Sequence, residues 1–170
     1  MSHVAKILRA VEQLNDWSGK LLALITPVVI AITVYEVVMR YAFNAPTNWA
    51  HELSTLLFGV QYILCGAYAH YHHQHVNVDV LSHRWPPRWR AWVDVVTSSF
   101  FFLFVGALAY TSWTFAIDSW NLREVSVTDW APPFYPVKIA IFIAFILLGL
   151  QGMVKLIRDL HLGITGRELS

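Results

Sequence analysis

Four stretches of the chain are apolar enough to stand apart from the rest. Leu21–Tyr35 contains no charged residue and runs on through Glu36 towards Tyr41. Leu53–Ala69 and Val95–Ile117 contain no Asp, Glu, Lys, Arg or His, and Ile139–Val154 is enclosed by Lys138 and Lys155. A helix rising about 1.5 Å per residue needs ~20 residues to cross ~30 Å of hydrocarbon. Val95–Ile117, with 23 residues, does so unaided; the other three reach that length with their mixed-polarity ends. A soluble protein can bury one such helix in its core, but four in one short chain would leave nothing to cover them. The pattern predicts an all-α integral membrane protein with four transmembrane helices, the spans falling at about 20–42, 52–72, 93–117 and 135–157. These make a single four-helix membrane domain over residues 1–170.

Ahead of the first span, Val4, Ile7, Leu8, Val11 and Leu14 recur at helical spacing, with Lys6, Arg9, Glu12 and Gln13 elsewhere on the wheel. Such an amphipathic helix either lies in the membrane interface or simply extends span one, and the pattern leaves both open. A cleavable signal is not expected, because about twenty residues including Glu12 and Asp16 precede the apolar run. Pro27 lies inside span one, where it removes a backbone hydrogen bond and favours a kink. Pro132, Pro133 and Pro136 precede span four, where proline suits a first helical turn. Gly59 with Gly66, and Gly149 with Gly152, offer small patches for close helix approach.

Charge adds an orientation. Lys6, Arg9 and Lys20 precede span one, Arg84, Arg88 and Arg90 lie between spans two and three, and Lys155, Arg158 and Arg167 end the chain. Only Arg40, Arg123 and Lys138 lie on the opposite side, a split of nine against three that accounts for all twelve basic residues. The excess predicts that both termini are cytoplasmic. Composition agrees with a membrane class: 14% charged residues and 56% hydrophobic ones in 170 residues, against a usual charged share of about 25%. A net charge of +1 excludes a basic nucleic-acid binder, and the single Cys65 excludes an intrachain disulfide and any cysteine-based metal centre.

Few residues suggest chemistry. Glu36 and Arg40 are spaced four apart in the favourable order, near one end of span one. A charge in hydrocarbon costs about 2.5–3.5 kcal/mol on insertion scales, so Glu36 is either an ion or proton site or one half of an anchoring pair. The position near the interface favours the pair. Trp49, His51 and Glu52 open span two, as the helix dipole and the interfacial preference of tryptophan lead one to expect. Glu52 lies on the same side as Arg40, so a contact across the hairpin is expected as a structural clamp. His70, His72, His73, His75 and His83 are dense enough to suggest metal binding or a pH response. Their spacing matches no firm ligand pattern, and a cytoplasmic rim beside Arg84, Arg88 and Arg90 explains them as well. Spans three and four contain no histidine inside the hydrocarbon, which argues against haem. No phosphate loop, nucleophile–base pair or carboxylate dyad is present, so neither catalysis nor a cofactor is expected. The segment from Asp118 to Pro133, with Glu124, Asp129, Arg123, Trp120 and Trp130, is a net acidic amphipathic patch that either receives a soluble partner or is simply solvated.

Together these segments resemble the small membrane subunit, DctQ-type, of tripartite ATP-independent periplasmic (TRAP) transporters. Glu36–Phe43 (EVVMRYAF) is similar to that family's Arg-Tyr-x-Phe end of span one. Trp49–Leu53 (WAHEL) is similar to its Trp-x-Glu-Glu-Leu opening of span two, with His51 in place of the first acid. His75–Leu81 (HVNVDVL) resembles the His-Val-x-Val-Asp stretch after span two. Trp130–Lys138 (WAPPFYPVK) with Leu147–Gly152 (LLGLQG) resembles span four of the mannitol/chloroaromatic subgroup. The resemblance runs from about residue 15 to 160.

It implies a small permease that braces a large membrane subunit (DctM-type, here a separate chain) and helps dock a periplasmic substrate-binding protein (DctP-type). It further implies sodium-coupled uptake of organic acids such as carboxylates and 2-oxo acids, and a multi-pass place among the lipids of the bacterial inner membrane, with no nucleic-acid partner. The structural and subunit-interface positions it implies are Glu36, Arg40, Tyr41, Phe43, Trp49, Glu52, His75, Asp79, Trp130 and Gln151. Two rival classes remain: a stand-alone four-helix proton-coupled exporter using Glu36, and a membrane anchor of a redox complex.

Overall fold

The computed structural model describes residues 3–72 and 86–166, and these form five helices. They are α1 (His3–Ala23), α2 (Ile25–Ala42), α3 (Ala50–Tyr71), α4 (Pro87–Leu122) and α5 (Tyr135–Thr165). Among the described residues no strand forms, and the one β-bridge joins Val125 to Pro133 in the loop between α4 and α5.

α1 and α2 are nearly one helix. The α-helical pattern lapses only at Leu24, whose N–H turns to Leu21 O at 3.1 Å. The cause is Pro27, which lacks an N–H and whose ring crowds the carbonyl four residues back. The expected disturbance is therefore present, and it falls between α1 and α2. α4 starts with Pro87 in its first turn and ends at Arg123, which adopts a left-handed conformation (φ 50°). α5 has Pro136 in its first turn and closes at Gly166 (φ 69°), whose N–H meets Leu162 O at 2.9 Å. A positive φ costs glycine nothing, and this is the ordinary glycine end of a helix.

The helices form an open row rather than a closed bundle. α5 packs on α4 along one flank and on α3 along the other, and α3 carries α2 on its far side. α1 wedges between α3 and α5 at the end opposite the α2–α3 turn. α3 and α4 approach chiefly where the His70 ring meets the edge of Phe101, 5.1 Å between centroids. Gly152 lets α5 close on α4: a Cβ there would run into the Phe101 ring, and a Cβ at Gly149 would touch Val105 at 3.6 Å. Gly59 has no atom within 4 Å of a built Cβ, so that glycine faces open space and not a neighbouring helix of this chain.

The buried seam of α1 and α2 runs through Leu8, Glu12, Asn15, Gly19, Leu22, Val29 and Glu36, a 3–4 spacing that continues across the break at Leu24. The apolar residues Leu14, Trp17, Leu21, Leu24 and Val28 face outward. The amphipathic stripe read from residues 4–14 is thus only partly the packing face: Leu8 turns in, but polar Glu12 and Asn15 turn in with it while Leu14 faces away. A helix in contact with lipid need not turn its apolar side to the protein core.

Three stretches are long and apolar enough to cross a membrane: Leu8–Ala42, Trp89–Leu122 and Tyr135–Thr165. Their lengths of 35, 34 and 31 residues correspond to roughly 46–53 Å of helix, well beyond the ~30 Å hydrocarbon thickness. They extend past the ends expected from the apolar runs alone. α3, at 22 residues, is a fourth helix of spanning length, but Glu52, Ser54, Thr55, Gln61 and His70 dilute its apolar character.

Candidate functional site

Polar side chains gather at the two ends of the helix row. At one end lies the pair expected from the sequence. Arg40 Nε donates to Glu36 Oε1 at 2.9 Å and Nη2 reaches the same oxygen at 2.5 Å. The second carboxylate oxygen accepts from the Thr47 N–H at 3.0 Å and from the Thr47 hydroxyl. Glu36 is buried, and both of its oxygens are therefore satisfied within the chain. The helix places Arg40 one turn beyond Glu36, while the turn from Phe43 to Trp49 brings Thr47 back over the carboxylate. Asn44 (φ 51°) supplies the reversal, a left-handed position that asparagine tolerates better than most residues.

Glu52 does not join this group. Arg40 turns to Glu36, and Glu52 Oε2 accepts instead from Thr128 Oγ1 at 2.6 Å, which ties the start of α3 to the loop between α4 and α5. The expected Arg40–Glu52 clamp is corrected accordingly: the i,i+4 geometry on α2 captures the guanidinium first. Trp49 stacks on Tyr35, with 5.9 Å between centroids and 28° between planes. Tyr41 is 81% exposed and Phe43 is exposed as well, so these two aromatics project from the end of α2.

The loop after α4 is a compact hairpin. Ser126 N–H donates to Pro132 O at 2.9 Å, Phe134 N–H to Glu124 O at 3.0 Å, and Ala131 N–H to Thr128 O at 3.0 Å. Arg123 lies over the Trp120 ring at 4.4 Å, and Trp120 meets Tyr135 edge-on at 5.3 Å. Lys138 is hydrogen-bonded to Glu124, and together with Ser119 it holds the Glu124 carboxyl below its ordinary value. Trp130 is half-buried in this hairpin, whereas Val125 and Val127 are exposed along its first arm.

At the other end, Gln151 is buried on α5 and its Oε1 accepts from Asn15 Nδ2 at 2.7 Å. Arg158 pairs with Glu12 at 2.7 Å, seven residues further along α5 and three back along α1. Asp16 pairs with Lys20 at 2.5 Å and lies 3.3 Å from His72 Nε2. Midway, Gln61 Nε2 donates to Thr26 Oγ1 at 2.7 Å and joins α3 to α2. Asn15, Thr47, Thr128 and the Glu12–Arg158 pair were not singled out from the sequence. The 3–4 seam through Leu8, Glu12 and Asn15 was the signal available for α1; nothing comparable marks Thr47 or Thr128.

His75 and Asp79 lie outside the described residues, as do His73, His83 and Arg84. Among the described residues, no three His, Cys, Asp or Glu side chains converge as a metal site. The site residues therefore divide three ways. Glu36, Arg40 and Trp49 share one end of the α2–α3 pair; Glu52 and Trp130 belong to the hairpin contact; Gln151 lies at the far end, against α1.

The arrangement offers anchoring geometry. A family model described as "Tripartite ATP-independent periplasmic transporters, DctQ component" matches residues 29–162. The matched segment runs from near the start of α2 to near the end of α5. No individual curated protein matches the chain.

Proposed function

The chain belongs to the DctQ component family of TRAP transporters, a family of transporter components and not of enzymes, and we propose that it works as a fixed brace within such a transporter. In this role four helices cross the bacterial inner membrane with both termini cytoplasmic, α3 being the fourth span, and residues 1–170 act as one membrane domain. The brace packs permanently on a separate large membrane subunit, DctM-type, and the hairpin of residues 123–134 helps receive a DctP-type periplasmic binding protein. The transporter it serves couples sodium to the uptake of organic acids, carboxylates or 2-oxo acids, and the chain falls in the mannitol/chloroaromatic subgroup.

The observation that carries this reading is the saturation of Glu36. An exporter using that acid as its proton site needs a carboxylate that opens to substrate and exchanges its proton. Glu36 instead has both oxygens engaged, by Arg40 and by Thr47. An ion pair whose carboxylate is buried and fully engaged sets geometry and does not open to cargo. Arg40, Glu52 and Asp79 are accordingly proposed to fix inter-helix and inter-subunit geometry, with Tyr41, Phe43, Trp49, His75, Trp130 and Gln151 supporting the same contacts.

Alanine at Arg40, Glu52 or Asp79 is expected to lower recovery of the transporter complex from the membrane. Unchanged recovery and unchanged uptake in all three variants would sink the proposal. Glu36→Gln separates the rival: transport by this chain alone, abolished by that substitution, is what a proton-coupled exporter requires.

A further inference from the structure

The surface between α2 and α3 is hollow along one side. Beside Arg40 opens a cleft of about 520 Å³, lined by Thr33, Glu36, Arg40, His51 and Ser54 among others. Deeper along the same two helices lies a second cavity of about 170 Å³, bounded by Val29, Ile30, Thr33, Val34 and Phe58. Thr33 lines both. The other lining residues advance by helical turns, Ile30, Val34, Val37 and Tyr41 on α2 and His51, Ser54 and Phe58 on α3. The two cavities are therefore the halves of one groove, about 10 Å long at 1.5 Å per residue from His51 to Phe58.

The halves differ in chemistry. Arg40 spends Nε and Nη2 on Glu36 Oε1, and its side chain remains 51% exposed. Among the described residues, Arg40 Nη1, the His51 ring and the Ser54 hydroxyl have no hydrogen-bond partner, while Thr33 spends its own hydroxyl on Val29 O at 2.8 Å. Glu36 has both oxygens engaged and a guanidinium against it, so its charge is countered where the groove begins. Below Thr33 the walls are hydrocarbon: Val29 is buried as the floor, and Ile30, Val34 and Phe58 stand exposed at the sides.

We propose that this groove is a binding site for one glycerophospholipid of the leaflet at the Arg40 end of the protein. The phosphodiester sits against Arg40, His51 and Ser54, and one acyl chain lies along Ile30, Val34 and Phe58. These donors stand open at the mouth of an apolar groove, where a phosphate at headgroup depth can engage them together. The polarity changes along the groove in the sense in which a lipid changes from head to tail. An apolar helix seated here would leave the three donors unpaired, and a free phosphate would leave the lower half empty. The site is independent of the TRAP assignment and holds even if the chain braces a different partner.

The test is lipid retention by the purified full chain in its native complex, in mild detergent, followed by native mass spectrometry and by titration with dioleoylphosphatidylglycerol. Ser54→Phe fills the polar half, Val34→Trp fills the apolar half, and Val28→Trp makes the same change on an outward face beyond the groove. The expected result is one phospholipid per chain kept by the wild type and by Val28→Trp. Ser54→Phe and Val34→Trp should each weaken lipid binding by about tenfold or more, 1.4 kcal/mol per factor of ten. Should Ser54→Phe fail to fold, His51→Ala combined with Ser54→Ala removes two donors without added volume and should give the same loss. Retention equal to wild type in both filled variants overturns the proposal. So does displacement of the lipid by inorganic phosphate with Val34→Trp unaffected, which would mark a small-anion site.

Discussion

Asn15 offers the sharpest energetic test of how α1 is held. It is 0% exposed and donates Nδ2–H to Gln151 Oε1 at 2.7 Å, across the α1–α5 contact; Gln151 is 4% exposed. Asn15→Ala strands the Gln151 acceptor in a buried site, a loss of about 1–3 kcal/mol. Gln151→Ala strands Asn15 Nδ2 at similar cost and opens a void on α5. Removing both groups, as Asn15→Ala with Gln151→Ala, leaves neither partner stranded. It also removes Asn15 Oδ1, which is buried with no hydrogen-bond partner. The double variant should therefore lose less than the sum of its single variants. Interhelical hydrogen bonds in membrane proteins couple by ~0.6 kcal/mol on average and ~1.7 at most. The expected coupling falls in that range, a factor of roughly 3–20 in the unfolding equilibrium. The assay is a double-mutant cycle on reversible denaturant unfolding in detergent micelles, followed by tryptophan fluorescence and checked by circular dichroism. Strict additivity, or single variants as stable as the wild type, would refute the claim that this bond fastens α1 to α5.

Other perturbations follow from the same geometry. Gly152→Ala places a methyl against the Phe101 ring and should cost about 1–3 kcal/mol by forcing α4 from α5. Gly59→Ala meets nothing within 4 Å and should be neutral or up to ~1 kcal/mol stabilising through helix propensity in the isolated chain; thermal melts of the two variants side by side read the difference. The Glu124 carboxyl is held below the ordinary 4.5 by Lys138 and Ser119. Its contribution to hairpin stability is then fully present above that ordinary value and is lost as pH falls through the lowered folded one. Proteolysis of the 123–134 hairpin should accelerate as pH drops below about 4.5, and Glu124→Gln should remove that dependence. Thr47→Val deletes one of the two Thr47 bonds to Glu36 and should destabilise the α2–α3 turn by roughly 1–3 kcal/mol, read as loss of the Tyr35–Trp49 stacking contribution to near-ultraviolet circular dichroism.

Much of the helical plan is readable in the chain because apolar runs, prolines and the Glu36–Arg40 spacing are local signals. The break near Pro27, the proline in the first turn of α5 and the 36–40 pair all follow from residues within four positions of one another. Thr47 is harder to foresee: it lies eleven residues from Glu36, and only the left-handed turn at Asn44 brings it back. Thr128 reaches Glu52 across 76 residues, which no local pattern encodes. α1 shows a different failure. In water an apolar stripe points inward, and Leu14 would be core; beside lipid that argument loses its force, and Glu12 and Asn15 take the protein-facing seam. Glycine spacing likewise does not reveal which patch has a neighbour in the same chain, since Gly152 meets Phe101 while Gly59 meets none.

The brace role is tested most directly by what comes out of the membrane with this chain. With a tag on the chain expressed in its native membrane and gentle extraction, a stoichiometric polytopic partner should co-purify. Deleting the chain should also abolish sodium-dependent uptake by that partner in reconstituted vesicles. Purification of the chain alone, together with transport by it unaided, would contradict the brace and turn attention back to Glu36.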